Sequence, residues 1–353
     1  MKPGHGYNAW HCICLCVLVL LTPTTGLSII LHGGGEPNLL TWADKPANAV
    51  VGRWPDNASF VVVSPKWILT TRHQGTSPAA VDINGVTYNC IYNTTYWTGG
   101  PTGNADIRLI RLKNTDGSDP NLAYAAPYTT ADEISKPMVI GGYGRGRETT
   151  LYGGSPLRAY GYTWGTGLNY NNNTQRWCTN IIDGNDIATG TWTSQVITAH
   201  FNNPGDTLYE GIPAEYDSGG GWFIKVGTVW RAAGLTRGVE GHGAPWPAEG
   251  ESWYRDPSDP KYVAHPDYMD AVRISSYAVW IQTITTADCN GPGPVQGDLN
   301  SDCKVDMLDL AEIAGQWLQT GSDLSADIAG DDDQVNFLDF ASFAQNWLVD
   351  KSL

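Results

Sequence analysis

The chain has 353 residues, 41% of them hydrophobic and 15 of them tryptophan, enough to bury a large core and, at this length, to form more than one domain. Its net charge of -15 is concentrated: residues 288–353 carry 13 acidic and 2 basic side chains, which points to cation binding there, while no basic stripe suited to nucleic acid occurs anywhere. With 41 glycines and 21 prolines breaking many short apolar runs, the body reads as all-β, without long amphipathic helices before residue 270.

In chain order, Lys2 precedes an apolar run from Cys12 to Leu21 and then small residues around Gly26, the layout of a secretory signal over residues 1–26. The run is about half of the ~20 residues that a membrane span needs, so the expected mature chain is secreted or at the cell surface and has no span. Removing the signal leaves Cys90, Cys178, Cys289 and Cys303. In an exported chain these allow two disulfides, and sequence separation suggests Cys289 with Cys303 and Cys90 with Cys178.

After a glycine- and proline-bearing leading arm, short strands are predicted at Val50–Trp54, Phe60–Val63 and Trp67–Thr70, joined by turns at Pro55–Asn57 and Ser64–Lys66. The last leads directly into Thr71, Arg72, His73, Gln74 and Gly75. Further on, apolar and basic residues interleave from Ile107 to Leu112, so a half-buried strand is expected there with Asp106 at its start. A carboxylate in that position is either a solvated turn cap or a buried group aimed at an imidazole Nδ1, which would leave Nε2 free to accept a proton. The run Glu215–Gly221 sets Ser218 between an aspartate and three glycines. A glycine-bounded turn of this kind is either a plain surface turn or one that presents a hydroxyl beside convergent backbone N–H groups.

Taken in order, SPKWILTTRHQG, NADIRLIRL and EYDSGGGWF resemble the histidine, aspartate and serine motifs of the trypsin-like, chymotrypsin-fold serine proteases. Trp67, six residues before His73, Gly141–Gly144, and a C-terminal helix over Ser275–Thr285 with Tyr277, Trp280, Ile281 and Ile284 on one face extend the resemblance from about Val50 to Ile284. The resemblance implies two β-barrels within residues 27–287 and a polypeptide substrate. It makes His73 the general base, Asp106 its orienting partner and Ser218 the nucleophile, with the backbone N–H groups of Tyr216 and Ser218 as oxyanion hole. Counting back from the serine, Ile212 falls at the floor of the primary pocket, which favours apolar or uncharged substrate side chains. His200, in an apolar stretch outside the family order, reads as structural. The chain departs from the family at Tyr216, where glycine is usual, at Arg72 and Thr71, where small residues are usual, and at Gly221, where proline is usual. The bracketing cysteines are missing, and no free N-terminus beside Asp217 is evident. Tyr216 and Arg72 motivate the alternative, a catalytically inactive protease-fold binding protein attached to an extracellular assembly or surface.

A linker composition, Asn-Gly-Pro-Gly-Pro, marks residues 288–296. Beyond it Asp298, Asn300, Asp302, Lys304, Asp306 and Asp309 stand at positions 1, 3, 5, 7, 9 and 12 of a cation loop, with Lys304 contributing its carbonyl. A helical apolar period follows, and the unit recurs thirty residues later: LAEIAGQWL against FASFAQNWL. The duplicated loop and helix over residues 297–350 resemble a dockerin domain with paired F-hand-like loops. This implies calcium as the bound cation and a cohesin-type partner, the alternative being attachment to a surface without a cohesin. Cys303 stands at the usual glycine position of the first loop. The second loop, one residue longer, offers Asp327, Asp331, Asn336 and Asp339 as ligands.

Overall fold

The computed structural model describes residues 29–353 apart from 33–38, 56–57, 93–98, 166–173, 203–204, 241–249, 257–265, 288–294, 300–303, 322–323, 331 and 352–353. The signal-like segment and the expected Cys289–Cys303 bond lie outside the described residues. A short strand β1 (Ile30–Leu31) precedes β2 (Val51–Trp54), β3 (Ala58–Ser64), β4 (Trp67–Thr70), β5 (Ala80–Ile83), β6 (Val86–Ile91) and β7 (Arg108–Asn114). The last six close into a barrel in the order β2-β3-β4-β7-β6-β5. The β-branched run of β3 is buried along its whole length because its two faces serve two cores. Ala58, Phe60 and Val62 point into the barrel, while Val61 and Val63 point outward into a second apolar core. On β7, Ile110 and Leu112 take the inward parity and Leu109 the outward one.

The outward faces pack against a larger assembly built from β8 (Pro137–Gly142), β9 (Arg147–Gly153), β10 (Arg158–Trp164), β11 (Arg176–Ile181), β12 (Gly184–Ala188), β13 (Ser194–His200), β14 (Gly211–Ile212), β15 (Gly221–Val226), β16 (Val229–Glu240), β17 (Glu251–Trp253) and β18 (Tyr268–Arg273). Seven of these form one antiparallel sheet, β11-β8-β15-β16-β18-β13-β12; β9, β10 and β17 form another, and β14 pairs with β1. The second barrel expected from sequence is therefore an open sheet in its backbone pairing. Side-chain bonds span part of the gap: the Asn180 amide on β11 donates to the carbonyls of His200 at the end of β13 (3.0 Å) and of Gly211 (3.1 Å).

The C-terminal helix is present as a 3-10 turn at Ile274–Tyr277 running into α1 (Ala278–Ala287), with Tyr277 and Ile281 buried as their spacing predicts. A small helical module follows, holding α2 (Met307–Gln316) and α3 (Phe337–Gln345) around Val295, Val305, Ile313, Ala326, Val335 and Phe343. It touches the β body directly: Arg231 of β16 pairs with Glu312 of α2 with both side chains buried, and Gly227 lies against Gly315. No described helix is long and apolar enough to cross a membrane.

The expected Cys90–Cys178 bond is not formed, and both thiols are free and buried. The reason is topological: Cys90 belongs to the core inside the closed barrel and Cys178 to the core shared with the seven-stranded sheet.

Candidate active site

His73 sits on a 3-10 turn, Arg72–Gln74, that follows β4, and Asp106 stands two residues before β7, the neighbour of β4 in the barrel. Strand pairing thus carries residues 33 apart in sequence to one place. His73 Nδ1 lies 2.6 Å from Asp106 Oδ2, and the His73 backbone N–H donates to Asp106 Oδ1 at 2.8 Å. Because a carboxylate only accepts, the ring hydrogen resides on Nδ1 and the neutral ring presents Nε2 as an acceptor. Asp106 is 3% exposed. Its own N–H donates to Ser194 Oγ at 2.8 Å, and the Tyr277 hydroxyl accepts from Gln195 N at 3.1 Å. Both braces come from distant segments and left no signal beside the aspartate in the sequence.

A second group approaches Nε2. The Gln74 amide nitrogen is 3.2 Å from it and 3.1 Å from Thr71 Oγ1. The His73 ring is bonded to Asp106 and Gln74, and among the described residues no hydrogen bond joins it to the Ser218 hydroxyl.

Ser218 lies on the turn leading into β15, at the seam between the barrel and the seven-stranded sheet. Its carbonyl accepts from Ser59 N of β3 (2.8 Å), and the next N–H, that of Gly219, donates to Thr236 O of β16 (2.8 Å). Gly219 has φ +81°, and a Cβ there would lie 2.2 Å from Ser59 O, so the close approach requires glycine. The N–H groups of Asp217, Gly219 and Gly220 are spent on the carbonyls of Ala214, Thr236 and Asp217, whereas among the described residues no acceptor takes the N–H of Ser218. Tyr216 has φ +77°, the left-handed conformation for which glycine is the usual residue. It is held from one side by Arg145, which lies 5.3 Å over its ring, pairs with Glu215 at 2.9 Å and donates its backbone N–H to Glu215 O at 2.7 Å.

The turn is anchored from beneath by Asp217, 1% exposed, whose carboxylate accepts from Gly144 N (2.7 Å), from Ala214 N (2.9 Å) and from the backbone of Ile29. Burial pushes its pKa up to about 6 in spite of these N–H groups and the Arg176 charge. Ile29, the residue ahead of β1, thus reaches Asp217 through its backbone, a contact between residues too distant in sequence to leave a local pattern. Ile212 is fully buried in β14 opposite Ile30. His200, at the end of β13, pairs with Asp183, whose hydrogen bond raises the histidine pKa, and it is remote in sequence from the His73 turn.

In the C-terminal module Asp298, Lys304, Asp306, Asp309, Asp327, Asn336 and Asp339 are described, and Asn300, Asp302 and Asp331 fall outside the described residues. Asp306 and Asn336 cap α2 and α3, each in a capping box with Asp309 or Asp339. The same two aspartates fold the loops over the helix starts. Asp309 accepts from Leu299 N (2.7 Å) and Asp306 N (2.8 Å); Asp339 accepts from Ile328 N (2.7 Å), Ala329 N (2.8 Å) and Asn336 N (2.8 Å). Lys304 turns its ammonium to Asp350 at 3.4 Å. Asp332, which the sequence reading passed over, accepts from the Asn336 amide at 2.9 Å. Among the described residues no three carboxylates, imidazoles or thiols converge on one point, while the all-oxygen donor set suits a hard cation.

No family model matches this chain, and no curated protein matches it. Among solved structures, neuropsin, a serine protease expressed in the limbic system of mouse brain, aligns over 67% of this chain and 94% of its own at 17% identity, with a TM-score of 0.37.

Proposed function

We propose that the β body is a serine endopeptidase. Ser218 attacks a peptide carbonyl while His73 Nε2 takes its proton, and Asp106 holds the Nδ1–H and stabilises the imidazolium. The N–H groups of Ser218 and Tyr216 receive the oxyanion. His73 then protonates the leaving amine, and water activated by the same imidazole releases the acyl group from Ser218. The observation that carries this reading is the two-point contact between His73 and a buried Asp106, at 2.6 and 2.8 Å, which fixes both the tautomer and the ring. For the attack, the Gln74 amide must leave Nε2.

The C-terminal module in this proposal is dockerin-like. It would hold calcium through Asp298, Asn300, Asp302, the Lys304 carbonyl, Asp306 and Asp309, and through Asp327, Asp331, Asn336 and Asp339 in the second loop. Calcium would cross-link carboxylates that otherwise repel, and the exported chain would attach through this module to a cohesin-type partner.

A second reading, a protease-fold binding protein with a silent site, is favoured by the Gln74 contact and by the missing Ser218–His73 bond. A fluorophosphonate probe separates the two. The enzyme labels covalently, and the label is lost in Ser218→Ala and in His73→Ala; a folded wild-type chain that never labels refutes catalysis.

A further inference from the structure

Arg108 is 2% exposed, yet it occupies the inward parity of β7, in register with Ile110 and Leu112, where an aliphatic side chain would be expected. Among the described residues no carboxylate stands at ion-pair distance from its guanidinium. It lies 5.0 Å over the Trp54 ring, donates through Nε to Thr71 O (3.2 Å) and through Nη1 to Thr76 O (2.7 Å), and among the described residues finds no acceptor for Nη2. Burying a cation with unfilled hydrogen-bonding capacity costs folding free energy, and nothing in the packing of an aliphatic strand face requires it.

The two carbonyls it holds bracket the turn that carries His73, one two residues before it and the other three after. Trp54 Nε1 adds a bond to Thr76 Oγ1 at 3.1 Å. The segment that runs from Asp106 into β7 therefore grips the histidine twice: Asp106 takes the ring and the His73 N–H, and Arg108, two residues along, takes the flanking backbone. The groups around the guanidinium that carry or can acquire charge are Asp106, Arg72 and Tyr92. Burial lowers the Arg108 pKa, opposed by Tyr92 and Asp106.

We infer that Arg108 is a positioning residue for His73. It acts through the carbonyls of Thr71 and Thr76 to hold the imidazole on Asp106. The inference rests on the proposed role of His73, but its test does not depend on catalysis alone.

The variants are Arg108→Met, which keeps length and contact with Trp54, and Arg108→Lys, which keeps the charge without the fork. Two readouts are made on the full chain: the rate of fluorophosphonate labelling, and the downfield His73 Nδ1–H resonance in proton NMR. In Arg108→Met the limiting labelling rate is expected to fall about 10- to 100-fold, as for a displaced catalytic group, with probe affinity unchanged. The Nδ1–H resonance broadens by exchange. Arg108→Lys does not restore the rate. Wild-type rate and resonance in Arg108→Met would overturn the inference. Should Arg108→Met fail to fold, Arg108→Lys decides alone, since full labelling rate and a sharp resonance there exclude a need for the two-carbonyl fork. Should wild type not label, the enzyme reading fails and the resonance still tests the clamp.

Discussion

Replacing Tyr216 by glycine and by alanine tests whether the serine turn stores backbone strain. At φ +77° a residue with a Cβ is disfavoured by about 1 to 2 kcal/mol relative to glycine. Both substitutions lose the contact between the Tyr216 ring and the Arg145 guanidinium, about 0.5 to 1 kcal/mol for a partly exposed pair, so that loss cancels in the comparison. Glycine alone relieves the strain, and glycine alone adds unfolded-state entropy, at about 0.5 to 1 kcal/mol. The difference leaves Tyr216→Gly more stable than Tyr216→Ala by about 0.5 to 1 kcal/mol, the reverse of the order at ordinary backbone angles. Equilibrium urea unfolding followed by tryptophan fluorescence, with the helical module tracked separately by circular dichroism, measures it. Labelling by the probe should be retained in Tyr216→Gly, because the N–H and its direction survive. Alanine equal to or more stable than glycine would refute the strained turn, and with it the argument that Tyr216 is aimed as an oxyanion donor.

Removing the amide from the base should help it: Gln74→Ala is expected to raise the labelling rate about 2- to 10-fold, the worth of one neutral hydrogen bond, and a slower rate would make Gln74 a supporting group and not an obstacle. Glu210 is 2% exposed and burial pushes its pKa up to about 7 from 4.5. The unfolded chain therefore gives up this proton first, and the stability Glu210 contributes is full below pH 4.5 and lost as pH rises through 7. Glu210→Gln, which cannot ionise, should gain on wild type by about 2 kcal/mol between pH 5.5 and 8.5 in urea unfolding, and a constant difference would contradict the buried, protonated carboxyl. Calcium removal is expected to abolish hydrogen-exchange protection at Val335 and Phe343 while sparing Val61 and Ile140, and protection that is indifferent to a chelator would remove calcium from the module.

Much of the first barrel is legible in the sequence because its signal is local. The predicted strands at Val50–Trp54, Phe60–Val63 and Trp67–Thr70 fall within a residue or two of β2, β3 and β4, since β-branched runs bounded by turn residues have few other states. The order of the three motifs also marks His73, Asp106 and Ser218 without any distance being known. What escapes the sequence depends on closure. Interleaved apolar and basic residues suggest that Arg108 faces solvent, but a barrel buries both faces of β7, so parity sends the guanidinium inward. Asp217 meets Ile29, and Asp106 meets Ser194, across separations at which no local pattern survives. At Asp306 and Asp309 two meanings coincide: positions 9 and 12 of a cation loop are also the cap and third residue of α2, and the described hydrogen bonds are those of the capping box.

Ser59 bears on how the two halves of the site could meet. It is fully buried, and two of its polar groups are committed across the seam, its N–H to Ser218 O at 2.8 Å and its Oγ accepting from Tyr143 N at 3.0 Å, while its carbonyl accepts from Thr70 Oγ1 of the neighbouring barrel strand at 2.7 Å. One small residue thereby ties the end of the strand that delivers His73, the glycine-rich segment after β8 and the backbone of the nucleophile. Sliding the sheets to bring Ser218 nearer His73 would break the two buried bonds across the seam, each worth about 1 kcal/mol net and more if left unpaired. Turning the Gln74 and Ser218 side chains crosses only rotamer barriers. The seam bonds therefore oppose a movement of one half of the molecule against the other, and under the proposed mechanism turning of the Gln74 and Ser218 side chains is what would bring serine and histidine together.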